Sequence, residues 1–367
     1  MSQCHREDRS LDLSTVNRRQ SLHLTYSSIF AQNCLIAGCA LVVMLACVVA
    51  IHAQSDKIDL PAVSTDLVPL TELTGAQRYK QELGGLYGAG ANELPEQHSA
   101  AAQRESTLIV PRNAQGSPQA DGKIVVVAFS MSNAEQEFGA FQKLAHADPE
   151  LSPNVFVVNT AQGGRAMSSW ATPRYRTFDI AEERLTRAGV TASQVQVAWV
   201  KIPIELIDYR PIGSKDISNL AENIKTVRAN TRVVLQQAKQ RFPNLRIAYL
   251  GSRVYGGYCK TDLNPEPFAY ESAFAARSMI LDQIQGDAEL NFDATKGIVK
   301  SPLLMWGPYL WANGLSPRAI DGLTWERSDF GRDGVHPSTA GEQKVARLLL
   351  NFFKSDRTSR DWFTRRR

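Results

Sequence analysis

Five short apolar runs are spaced along the second two-thirds of the chain, each followed by a stretch with helical spacing, and this alternation constrains the fold more than any other feature. The runs are Ile124–Phe129 (IVVVAF), Val155–Asn159 (VFVVN), Val195–Val200 (VQVAWV), Arg246–Gly251 (RIAYLG) and Leu303–Trp306 (LLMW). Between and after them, Ala134–Ala147, Phe178–Ala188, Ile217–Arg241, Phe268–Ile284 and Ser338–Phe353 carry apolar residues at helical spacing. Runs without polar alternation read as strands buried on both faces. Strands that alternate with helices imply a parallel sheet covered by helices on either side, a three-layer α/β/α sandwich. In such sheets a ligand meets the loops beyond the carboxyl ends of the strands.

Composition narrows the partners. A net charge of +4, with 21% charged and 43% hydrophobic residues, is ordinary for a globular chain and gives no reason to expect a nucleic-acid partner. Leu35–Ile51 is an uncharged apolar run preceded by Arg18 and Arg19, and Ile51-His52-Ala53 ends on a small residue suited to cleavage. We read residues 1–53 as a polar segment plus an export signal, either cleaved near Ala53 or retained as a membrane anchor. The expected location is therefore periplasmic or extracellular. Residues 54–67 read as a linker, 68–355 as the folded domain and 356–367 as a basic tail. Of the five cysteines only Cys259 lies in the body, so no internal disulfide forms there and no cysteine pair has metal-site spacing. No metal or cofactor is expected.

Three loops beyond strand ends carry chemistry. Ser130-Met131-Ser132-Asn133 follows the first run and offers two serines, either of which can also be read as a turn or helix-capping residue. Thr160-Ala161-Gln162-Gly163-Gly164-Arg165 follows the second. Arg332-Asp333-Gly334-Val335-His336-Pro337-Ser338 precedes the last helix. Acyl transfer needs a nucleophile, a base, a carboxylate that orients the base and donors for the oxyanion. Asp333 and His336 are three residues apart in one turn, which lets the carboxylate face one imidazole nitrogen and leaves the other for a nucleophile. Gly164, without a side chain, lets its N–H approach an oxyanion closely.

"DGVHPSTAGEQKVARLLL" and "VVNTAQGGR" resemble the last and second blocks of the SGNH (GDSL-type) hydrolases. "FSMSN" occupies the position of the first, Gly-Asp-Ser block. The resemblance covers residues 120–355 and extends to about 68 through "GGLYGAGANELPEQH". It implies a flavodoxin-like α/β/α fold, with Ser132 as nucleophile, His336 as base and Asp333 as its orienter. It also implies an oxyanion site made of the Ser132 and Gly164 N–H groups. The substrate implied is a small acyl ester, such as acetyl on an extracellular carbohydrate. The chain departs from the family in lacking the Gly and Asp of the first block and the third-block Asn, where Lys201-Ile202-Pro203-Ile204 stands. Lys201 either donates in its place as a substrate contact or is a solvated or structural lysine, in which case the oxyanion site uses only the N–H groups of Ser132 and Gly164. Arg165, beside the glycines, either grips a substrate carboxylate or pairs within the fold. Tyr255 and Tyr258, after the fourth strand, are candidate substrate contacts. Trp306, Tyr309, Trp311 and Trp325 divide between core and sugar-stacking roles. The departures keep a second reading open, a catalytically impaired binding module on the same fold.

Overall fold

The computed structural model describes residues 65–205, 219–261 and 263–365. The chain divides into two units, Met1–Asp59 and Leu60–Arg367, and the described residues belong to the second. The apolar run 35–51, the rest of the segment 1–53 and the first part of the expected linker lie outside the described residues. Among the described residues no helix is long and apolar enough to cross a membrane.

The five apolar runs form one parallel sheet: β1 (Ile124–Phe129), β2 (Val155–Val158), β3 (Val195–Lys201), β4 (Ile247–Gly251) and β5 (Leu303–Trp306). The spatial order is β2-β1-β3-β4-β5. This is the flavodoxin-like order, with its switch point between β1 and β3. Eight helices accompany the strands among the described residues: α1 (Glu96–Thr107), α2 (Ser132–Ala147), α3 (Met167–Ala171), α4 (Thr177–Arg187), α5 (Leu220–Arg241), α6 (Phe268–Ile284), α7 (Thr339–Ser355) and α8 (Arg360–Phe363).

Side-chain alternation along the strands decides which helices cover which face. Phe129 meets Trp170 of α3, Phe178 of α4 and Phe242 just after α5, at centroid distances of 5.1, 5.5 and 5.9 Å. Trp199 and Tyr249, cross-strand partners in β3 and β4, face the other way. Trp199 stacks on Phe138 of α2 at 5.8 Å, and Tyr249 meets Phe352 and Phe353 of α7. Helices α2 and α7 therefore pack together on one face, with α3 and α5 on the opposite face and α6 beside α5. This is the disposition that right-handed crossovers require.

Both expected domain boundaries move outward. Asn313 holds the backbone of Thr65 and Leu67 through its side-chain amide, so the folded domain begins before residue 68. Part of the expected basic tail joins the core. Phe363 is fully buried, stacks on Phe353 at 5.1 Å, and its carbonyl accepts from the Ser152 N–H at 2.9 Å. The charge of the last residues hid two large aromatics, Trp362 and Phe363, which have more apolar area to bury than the flanking arginines have charge to solvate. The glycine-rich stretch after Leu83 packs on α6. Arg277 donates to the Gly85 carbonyl at 3.2 Å and pairs with Glu82 at 2.6 Å.

Candidate active site

The two serines after β1 have different fates. Ser130 is fully buried, and its hydroxyl donates to the Lys201 carbonyl at the end of β3. Its own carbonyl accepts from the Gln162 N–H at 2.9 Å and the Trp170 indole N–H at 3.3 Å. It ties the carboxyl ends of the strands together. Ser132 is the first residue of α2; the cap residue is Met131, extended at φ −90° and ψ −170°. The Ser132 hydroxyl does not cap the helix. It lies 2.8 Å from His336 Nε2.

His336 Nδ1 is 2.5 Å from Asp333 Oδ2. A carboxylate accepts only, so Nδ1 carries the proton and Nε2 accepts from the Ser132 hydroxyl. The carboxylate is itself held. Its other oxygen accepts the Val335 and His336 N–H groups at 3.0 and 3.1 Å. Burial raises the Asp333 carboxyl's affinity for a proton. The His336 bond and the two backbone N–H groups outweigh that and hold it below the usual carboxylate range. Gly334 makes the turn at φ +69°, and a Cβ there would come within 1.7 Å of the Tyr258 carbonyl. Only glycine fits. The Asn133 side-chain amide donates to the Val335 carbonyl at 2.7 Å and so fixes the start of α2 to the Asp-His turn.

The glycine loop after β2 is braced from α2. Glu135 accepts the Gly163 N–H at 2.8 Å and the Arg184 guanidinium at 2.9 Å, and Arg184 also donates to the Asn159 carbonyl at 3.3 Å. The Arg165 N–H donates to the Gln162 carbonyl. Gly164, at φ +68°, has no acceptor for its N–H among the described residues. The Ser132 N–H lies in the first turn of α2, where a helix leaves its donors unpaired and its dipole is positive.

Ser132, Gly164 and His336 border one pocket of about 260 Å³, with Ile204, Arg253 and Asn264 among its other walls. Four predicted substrate contacts are not on its walls. Lys201 is fully buried and holds both carboxylate oxygens of Glu137, at 2.6 and 2.5 Å. Its side chain leaves β3 toward α2 and finds a charge partner there, so it is no oxyanion donor. Tyr255 and Tyr258 are buried edge to face at 5.2 Å, and the Tyr258 hydroxyl donates to the Trp325 carbonyl at 3.0 Å. Their rings have more to gain inside than on a loop surface. Arg165 stacks its guanidinium over Tyr175 at 4.5 Å. Trp306, Tyr309, Trp311 and Trp325 are all buried, so none is a surface for a sugar ring.

Sequence reasoning overlooked Asn133, the Glu135–Arg184 brace and Arg253. The polar residues within one turn of Ser132 were a usable signal for the first two. Among the described residues, no group of three or more His, Cys, Asp or Glu side chains is arranged to hold a metal ion.

No family model matches the chain, and no curated protein matches its sequence. Several solved structures are similar in fold. One is described as a gut microbial diltiazem-metabolizing enzyme, with 14% identity and a TM-score of 0.37 over 65% of this chain. The chain spans 48% of that protein's length. A protein from Bacteroides fragilis described as an acylhydrolase has 11% identity and a TM-score of 0.34, over 71% of this chain and 96% of its own. A third, from Slackia heliotrinireducens and described as an SGNH hydrolase, has 15% identity and a TM-score of 0.29, over 63% and 97%. At these values the likeness carries no argument about chemistry; two of these three neighbours are named as an acylhydrolase and an SGNH hydrolase.

Proposed function

We propose that this chain is an exported SGNH-type serine esterase acting on short acyl esters. The observation that carries the reading is the relay from Ser132 through His336 to Asp333, with contacts of 2.8 and 2.5 Å, at the carboxyl edge of the sheet. Ser132 attacks the ester carbonyl as His336 takes its proton. Asp333 keeps the imidazole in the required tautomer and stabilises the imidazolium. The N–H groups of Ser132 and Gly164 hold the oxyanion. His336 then passes the proton to the leaving alcohol, and water, activated in the same way, releases the acyl group. Among the described residues, the two side-chain amides of the pocket wall are each held by a backbone carbonyl, that of Asn133 by Val335 and that of Asn264 by Ile204. One missing donor costs about 3 kcal/mol of transition-state stabilisation, so a slow enzyme is expected. The pocket suits a small acyl group such as acetyl. A carbohydrate alcohol draws no support from the aromatic residues, which are buried.

The test is hydrolysis of p-nitrophenyl acetate together with labelling by a fluorophosphonate. Ser132→Ala is expected to lower kcat by more than about 10⁴-fold and to abolish labelling. Turnover equal in the two proteins sinks the proposal and favours the impaired binding module; labelling that survives Ser132→Ala and vanishes in Ser130→Ala shows that the other serine is the nucleophile.

A further inference from the structure

Four arginines are buried among the described residues, and three have evident partners. Arg112 donates to Gln196 and the Gly116 carbonyl, Arg277 pairs with Glu82, and Arg318 pairs with Asp321 and donates to the Tyr309 carbonyl. Arg253 does not follow them. It lies just beyond β4, its backbone N–H donates to the Ser272 hydroxyl at 2.9 Å, and the residue lines the pocket that holds Ser132 and His336. The residue is 3% exposed, its Nε is enclosed without an acceptor, and among the described residues the guanidinium has no ion pair. A buried cation left without a partner is costly.

The acidic groups whose fields reach Arg253 are already committed. Glu137 holds Lys201, Asp333 holds His336, and Glu266 accepts from the Trp311 indole and the Gly256 N–H at 2.7 and 2.8 Å. Their negative charge favours the cation without occupying its hydrogen-bond donors. An arginine is not deprotonated in proteins, and its planar fork matches a carboxylate. Elsewhere in the same pocket's lining, the Asn264 Oδ1 is buried without a partner among the described residues; as an acceptor it suits a donor group of the ligand and not its carboxylate. Glu205 forms another part of the wall and, with Asp333, disfavours a dianion more than a monoanion.

We infer that Arg253 is a substrate-binding residue that receives a free carboxylate on the ester, so that the pocket takes carboxylate-bearing esters in preference to neutral ones. The inference rests on the esterase reading for its choice of ligand, and its test does not require turnover. The full chain carrying Ser132→Ala is titrated by calorimetry with monomethyl succinate, whose carboxylate is on the acyl side, and acetoxyacetate, whose carboxylate is on the alcohol side. Dimethyl succinate and methyl acetoxyacetate are the neutral partners. At least one anion is expected to bind about ten-fold or more tightly than its neutral partner. Adding Arg253→Gln is expected to remove that preference, and Arg253→Lys to keep part of it. Ratios near one for both pairs in the Arg253 protein overturn the inference without any variant having to fold. A preference that persists in Arg253→Gln overturns it too. So does an Arg253→Gln enzyme, with Ser132 intact, that loses kcat equally on p-nitrophenyl acetate and p-nitrophenyl succinate, because Arg253 would then serve the oxyanion. Selective anion binding in a chain that hydrolyses nothing would sink the esterase reading and leave the carboxylate site standing.

Discussion

Replacing Lys201 by methionine tests whether its ion pair is structural. Lys201 and Glu137 are both fully buried, and the ammonium holds both carboxylate oxygens. Burial pushes the ammonium below its ordinary value, and Glu137 pulls it back up. Methionine fills much of the same space but leaves Glu137 buried without a counter-charge. Removing one partner of a buried pair costs about 3–5 kcal/mol, and urea unfolding at pH 7 measures it. Adding Glu137→Leu should return the stability to within about 2 kcal/mol of the starting protein. The double variant should label with a fluorophosphonate at pH 7. A deficit that Glu137→Leu does not relieve, or unchanged stability with labelling abolished, would refute the reasoning and return Lys201 to the site.

Ser130→Ala should cost about 1–2 kcal/mol in urea unfolding, since it orphans the Lys201 carbonyl, and should leave kcat within a few-fold. Asp333→Asn should lower kcat by about 10⁴-fold at pH 7. Because the folded Asp333 carboxyl lies below its unfolded value, its stabilising contribution is complete above about pH 4 and is lost as pH falls through the folded value. The stability gap between wild type and Asp333→Asn should therefore close as unfolding is followed downward from about pH 4. Gly334→Ala should lower both Tm and kcat, because the added Cβ pushes the turn off the Tyr258 carbonyl and carries His336 with it. A displacement of about 1 Å is enough for a 10²-fold loss; an unchanged kcat would show that the turn can relax.

Local patterns made much of this architecture legible. The span Phe268–Ile284 and the strand Leu303–Trp306 end where their spacing says they should. Ser338 caps the last helix as its place after Pro337 suggests. The Asp333–His336 turn was legible for the same reason: both residues lie within one short loop, and glycine between them permits the bend. Residues whose role depends on a partner distant in sequence were not. Trp362 and Phe363 look like part of a basic tail until Phe353 and Phe141 are beside them. Tyr255 and Tyr258 follow a strand end, as site residues do, yet their rings turn inward.

The sequence by itself determined the parallel sheet, the loops that face a ligand and the Asp-His pair, because these follow from periodicity and from spacing within one turn. The resemblance pointed to Ser132, and the tertiary structure gives the two serines different surroundings. Ser130 and Ser132 have the same chemistry and nearly the same place in the chain, but one hydroxyl meets the Lys201 carbonyl and the other meets His336 Nε2. Tertiary structure also separated the buried cations. Lys201 found a carboxylate across the α2 interface and Arg253 found none among the described residues, a difference made by partners remote in sequence.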